Sequence, residues 1–218
     1  KMVRKMHTQY NRALNNPADN YVQMEIHGNR LVNPILEAEA AEGQAAIGPA
    51  SEQVYGKDEI AALYEDYVIT GATVVFTLVP TSTVTNLADA AKPKEYPIHA
   101  CVLAQEEDDT SHPNPTTVET FKEHGAKTRL MGMGKHYKIV DSRSTNRVLG
   151  GTAYSSIRTS LDDQGYPARR WKWILHLEPF ASVGASEAWE VAVKVDVYYT
   201  VHFENRKQLT QSSASAPA

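Results

Sequence analysis

Metal chemistry needs ligands that converge from short spacings. The eight histidines, at positions 7, 27, 99, 112, 124, 136, 176 and 202, never form HxH, HxxH or HxxxH. His176 and His202 fall at polar positions of strand-like patterns, where solvated or hydrogen-bonded side chains are expected. Gly132-Met-Gly-Lys135 has a trace of a phosphate loop, but His136 stands where a Ser or Thr is needed and no helix follows, so a turn is expected. Cys101 sits among Ile98, Ala100, Val102 and Leu103, which predicts a buried small hydrophobe rather than a nucleophile. There is no GxSxG. The carboxylates Glu106, Glu107, Asp108 and Asp109 lack the glycine and ligand spacing of a calcium loop and read as a solvated acidic loop. No catalytic residue, metal or cofactor is assigned, and an enzyme is not expected. The chemistry that remains is cationic: Lys1, Arg4, Lys5 and Arg12, with Tyr10 nearby, can neutralise phosphates without reading sequence.

The elements that would carry such a segment read as β. Trp189, Val191, Val193, Val195, Val197, Tyr199, Val201 and Phe203 occupy every odd position of one run, which predicts a long strand with one buried and one wet face. Trp171, Trp173, Leu175 and Leu177 predict a second amphipathic strand ended by Pro179, with the tryptophans packing in a core or interface. Val68 to Val79 is apolar on both faces and suits a central strand covered on two sides. Shorter strands are expected at Tyr21 to Ile26, Ile98 to Ala104, Thr128 to Met131 and Tyr137 to Val140. Helix is minor: Asp58 is placed to cap a short one carrying Ile60, Leu63, Tyr64 and Tyr67, and Glu37 to Ala46 adds a turn or two. Long polar connections at 28–56, 80–95, 105–126 and 141–169 imply a job or a partner. The sum is an all-β, single eight-stranded jelly roll, a two-sheet antiparallel sandwich with long loops.

The chain has 218 residues, 42% of them hydrophobic, and a formal charge of −4. One cysteine excludes an intrachain disulfide framework, and no apolar run approaches the ~18 residues of a membrane helix. The first apolar residues sit among bases, so no signal peptide is visible. The charge is unevenly spread. Of 22 bases, four lie in residues 1–18 with no acid, whereas the other 200 residues hold all 26 acids. Residues 1–18 therefore read as a basic N-terminal arm, 19–207 as the jelly-roll domain and 208–218 as a polar flexible tail. Starting at Lys1 rather than Met implies that part of the arm is missing from the chain.

Three segments carry a family resemblance: Tyr64-Glu-Asp-Tyr-Val-Ile-Thr-Gly-Ala-Thr-Val-Val-Phe76, Lys138-Ile-Val-Asp-Ser-Arg143 with Val148-Leu-Gly150, and Val195-Asp-Val-Tyr-Tyr-Thr-Val-His-Phe-Glu-Asn-Arg-Lys207. With the basic arm, their order resembles the capsid proteins of circovirus-like viruses, whose genomes are circular single-stranded DNA. The resemblance implies a capsid domain that self-assembles into a small icosahedral shell of sixty subunits. It also implies a single-stranded DNA genome bound through Lys1, Arg4, Lys5 and Arg12, a place in the virion, and assembly in the host cell, with the nucleus as an expected site. No membrane insertion is implied. The residues alone leave open a small RNA or satellite virus coat, and a carbohydrate-binding jelly roll using Trp171, Trp173 and the acidic loop. A cupin-like metalloenzyme is the weakest alternative.

Overall fold

A computed structural model describes residues 2–15, 21–31, 35–37, 54–81, 97–107, 115–132, 134–151, 154–161, 167–180 and 189–207. Among these residues, ten strands form two antiparallel sheets. They are β1 (Met2–Asn15), β2 (Val22–His27), β3 (Ile35–Glu37), β4 (Tyr64–Thr81), β5 (Ile98–Glu106), β6 (Lys127–Met131), β7 (Tyr137–Ser144), β8 (Arg158–Ser160), β9 (Trp171–Pro179) and β10 (Glu190–Arg206). The first sheet runs β1-β10-β4-β7 with short β8 also on β4, and the second runs β3-β2-β9-β5-β6. With β3 and β8 set aside, the eight main strands cross repeatedly between sheets in the interleaved order of a jelly roll, as the sequence predicts.

Period-two patterning decides which faces meet. On β10 the odd residues from Val191 to Phe203 are buried, and Val74, Phe76 and Leu78 of β4 lie beside them in register. A bulge between Thr200 and Val201 shifts that register, so the inward set on β4 changes from even positions to Ile69 and Tyr67. This parity switch explains much of why Val68 to Val79 looks apolar on both faces; Val75, Thr77 and Val79 are only half-buried on the outer side. Gly71 lies at the bulge, where an added Cβ would stand 3.1 Å from the Arg143 carbonyl oxygen, so a side chain there would require β7 to yield by a few tenths of an ångström.

Residues 2–15 differ from the expected arm. They form β1, paired along its whole length with β10 from Met2 opposite Phe203 to Asn15 opposite Glu190. The reason is a sparse inward set, Met6, Thr8 and Leu14, which is buried while Arg4 and Lys5 stay in water. β9 also departs from expectation, being buried on both faces. Trp171, Trp173, Leu175 and Leu177 enter the central core, whereas Ile174 joins Cys101, Leu103, Val118 and Phe121 in a second cluster. Helix α2 (Val118–Glu123) builds that cluster by lying over the outer face of the second sheet. His176, expected to be solvated or hydrogen-bonded, is hydrogen-bonded to Gln23 and Glu178 and, under this cover, fully buried.

Helix α1 (Lys57–Ala61) is shorter than its apolar spacing suggests and is preceded by Gly56 at φ 79°, not capped by Asp58, which sits in its first turn. Its pattern breaks because Tyr64 and Tyr67 already belong to β4. The segment Glu37 to Ala46 gives β3 up to Glu37, and the remainder lies outside the described residues. Single turns α3 (Thr145–Val148) and α4 (Tyr154–Ile157) complete the elements.

Candidate nucleic-acid interface

The outward faces of the two sheets differ in kind. Register across β1, β10, β4 and β7 sets out four rows on the first sheet: Lys5–Thr200–Gly71–Ser144, His7–Tyr198–Thr73–Ser142, Gln9–Asp196–Val75–Val140 and Asn11–Lys194–Thr77–Lys138. Three lysines stand in these rows against one carboxylate. That carboxylate, Asp196, is engaged by His7 Nε2 at 3.2 Å and Lys194 Nζ at 3.3 Å. Lys5, Lys138 and Lys194 are all exposed. The rest of these four rows is hydroxyl, amide, glycine and valine apart from His7 and Tyr198, so this stretch is shallow and weakly cationic, while the rows beyond it add Glu190 at one end and Glu204, Asp66 and Arg158 at the other.

The second sheet's outer face is closed and rich in acids already paired. Lys172 Nζ donates to Glu25 Oε1 at 2.7 Å, and at the end of β5, on the core-side parity of Val102 and Ala104, Arg169 grips Glu106 through two bonds of 2.7 Å. Glu107 stands 3.1 Å from His27 and 3.7 Å from Arg170. Burial pushes its carboxyl up, but His27, Arg170 and Lys172 outweigh that and hold it below its ordinary range. Two of the four acids expected in a solvated loop are thus structural ion-pair partners; Asp108 and Asp109 lie outside the described residues.

The two faces are joined at one corner by Asp141 of β7. Its buried carboxylate accepts from Arg143 Nε at 2.7 Å and Trp173 Nε1 at 2.9 Å and pairs with Lys127 Nζ at 2.9 Å. Burial alone would raise this group, yet the three donors lower it. Lys127 also donates to the Val140 carbonyl at 2.6 Å, fastening β6 to β7 across the sandwich edge.

Of the four bases singled out in sequence, the two whose side chains are described, Arg4 and Lys5, do not converge. Arg4 and Lys5 are neighbours on a strand and so project to opposite sides of it; Arg12 stands opposite Val193 in the ladder, and Lys1 lies outside the described residues. Lys5 alone joins Lys138 and Lys194, which are distant in sequence and become one field only through the strand order. Alternation of Met2, Met6, Thr8, Tyr10 and Leu14 was the signal for β1 that the cluster of bases obscured.

The other candidates lose their chemistry. Trp171 and Trp173 are fully buried with rings 4.6 Å apart, edge to face, and offer no sugar platform. Burial pushes the Cys101 thiol up to about 11, and Cys101 is inside the second cluster. Gly134 takes a turn at φ 70°. No group of three or more metal-binding side chains occurs among the described residues.

What the strand order and the two unlike faces define is a jelly-roll sandwich with one covered and one open side. Among solved structures, the chain is similar to that of empty turnip yellow mosaic virus, at 12% identity, covering 97% of this chain and 85% of that one with a TM-score of 0.38. It is also similar to a decameric BFDV capsid protein, at 12% identity, covering 94% of this chain and 100% of that one with a TM-score of 0.43. No protein-family model matches the chain, and neither does any curated protein sequence. At these values the fold rests on the strand order itself.

Proposed function

We propose that this protein is the wall subunit of a small icosahedral viral shell, with sixty copies enclosing a circular single-stranded DNA genome. The observation that carries the reading is the two-sided sandwich: a sealed, acid-lined face under α2 and an open sheet face presenting Lys5, Lys138 and Lys194. A shell wall needs that inequality, because one side meets a polyanion and gains from cations spread over an area, here Lys5 and Lys138 with Lys194, which is shared with Asp196. Apart from Val148-Leu-Gly150, at the end of α3 and the following turn, and Lys207, the motif segments that resemble circovirus-like capsids lie in β4, β7 and β10, the strands that build the open face together with β1. Genome contact in this reading is made by the sheet face, with Arg4 on the edge strand β1 beside it. Shell closure follows from repeated contacts between identical subunits. The particle forms in the host cell, the nucleus being the site that a DNA genome favours.

Negative-stain microscopy of the purified chain tests this directly. Uniform closed particles are the expected result, with a 260/280 nm absorbance ratio that falls as salt rises. A chain that stays strictly monomeric across pH and salt overturns it.

A further inference from the structure

We propose that the row His7–Tyr198–Thr73–Ser142 is a stacking site for the bases of a single-stranded nucleic acid, with Tyr55 extending its ring wall. The site deepens the reading of the chain as a genome-holding subunit and rests on it. His7 and Tyr198 are directly opposed on β1 and β10, and their rings stack at 4.6 Å with planes 16° apart. The His7 ring is held in place by its bond to Asp196, and Tyr55 lies 6.4 Å further out, tilted by 37°. These rings do not serve the core. Tyr55 is 69% exposed, and Tyr198, 45% exposed, projects on the side of the sheet opposite to the buried Val197 and Tyr199.

The other side of Tyr198 is a floor. Its partner on β4 is Thr73, whose hydroxyl shares a 2.8 Å hydrogen bond with Ser142 of β7, and Gly71, Val75 and half-exposed Val140 lie in the flanking rows. A tall ring beside a low surface leaves a step against which a planar base can lie flat. Aromatic stacking accepts any base because each has a π-face, and hydroxyls either donate or accept, so the step is sequence-tolerant. The charges are placed for a backbone running past it. Lys5 is one row away, about 7 Å, and Lys194 and Lys138 two rows away on the other side, about 14 Å. A cationic track beside a stacking ring is what an unpaired strand requires; a duplex keeps its bases inside its own stack.

The test mixes the full chain, before assembly, with labelled oligo(dT) and with an abasic sugar-phosphate strand of equal length, and follows anisotropy across salt. Wild type should bind oligo(dT) more tightly than the abasic strand. Tyr198→Ala should lose roughly tenfold on oligo(dT) while leaving abasic binding and the salt slope unchanged, and Tyr198→Phe should retain the preference. Tyr55→Ala, at an exposed turn, reads the outer end of the same wall if Tyr198→Ala fails to fold. Equal effects of Tyr198→Ala on both strands, or none on either, overturn the stacking site while leaving the genome-holding reading intact. A changed assembly with unchanged oligo(dT) binding makes the row a subunit contact and overturns the site as well. Wild type that binds neither strand at low salt overturns both readings.

Discussion

Acidification should loosen the cover of the second sheet through one buried histidine. His176 is fully buried beneath α2, with the Phe121 ring 4.7 Å away and Tyr21 on another side at 5.2 Å. Its Nε2 is 3.0 Å from Glu178 Oε2, which only accepts, so that nitrogen carries the proton. Its Nδ1 is 3.2 Å from the Gln23 amide nitrogen, which only donates and also bonds the Pro115 carbonyl at 2.6 Å. The neutral imidazole is therefore satisfied at both nitrogens. A second proton would put N–H against N–H at Gln23, and turning the amide to relieve this would set its oxygen against Pro115. Glu178 also accepts from the Val118 amide at 3.2 Å, so α2 is attached to the same cluster.

Burial lowers the His176 pKa, only partly opposed by Glu178, and His99 lowers it further; Glu119 and Lys122 are the charges α2 brings to this side of the sheet. A depressed folded pKa means that the stabilisation is complete above the unfolded value near 6.5 and is lost as pH falls from there toward the folded value. The slope in that window is about 1.4 kcal/mol per pH unit, or about 3–5 °C in Tm per unit for a chain of this size. Thermal unfolding between pH 7.5 and 5.0 should show this slope in wild type and a flatter profile in His176→Gln, with amide exchange in Val118–Glu123 rising in wild type at low pH. Parallel pH profiles for the two proteins would refute the reasoning.

Asp141→Ala leaves the buried Trp173 N–H without its acceptor and removes the shared partner of the solvent-accessible Lys127 and Arg143, and should remove about 1–3 kcal/mol from urea unfolding. Because the Asp141 pKa is lowered on folding, its contribution is complete above about pH 4 and fades as pH falls through the folded value, so Asp141→Asn should show a shallower acid limb. Gly28→Ala drives a methyl group into the Trp171 indole and should cost about 1–3 kcal/mol, with a changed tryptophan emission as the readout. Thr117 accepts from the Thr120 amide in a reciprocal cap of α2, so Thr117→Ala should cost about 1 kcal/mol and speed exchange in that helix.

The long strands were legible because burial on one side writes a period of two into the residues, as from Val191 to Phe203. Strand β1 was not, since only three of its described side chains are buried and its bases dominate the composition. The bulge at Thr200 leaves no mark in sequence beyond a run that looks apolar on both sides. Helix α2 offers just Val118 and Phe121 on its buried face, too few to declare a helical period, and without it the burial of His176 cannot be foreseen. The open face was the least visible of all. Lys5, Lys138 and Lys194 share a surface only because β10 inserts between β1 and β4, and that is a property of topology rather than of spacing.

That insertion also fixes an order of events during synthesis. β1 emerges before every other described element, yet its ladder partner among the described residues is β10, the last of them; His7 and Asp196 are separated by 189 positions. Until β10 has left the ribosome, β1 has nothing to pair with and β4 presents an unzipped edge 18 residues long. The sandwich therefore closes only after β10 has been made, a nonlocal and slow step during which the open edge of β4 is exposed to pairing with other chains.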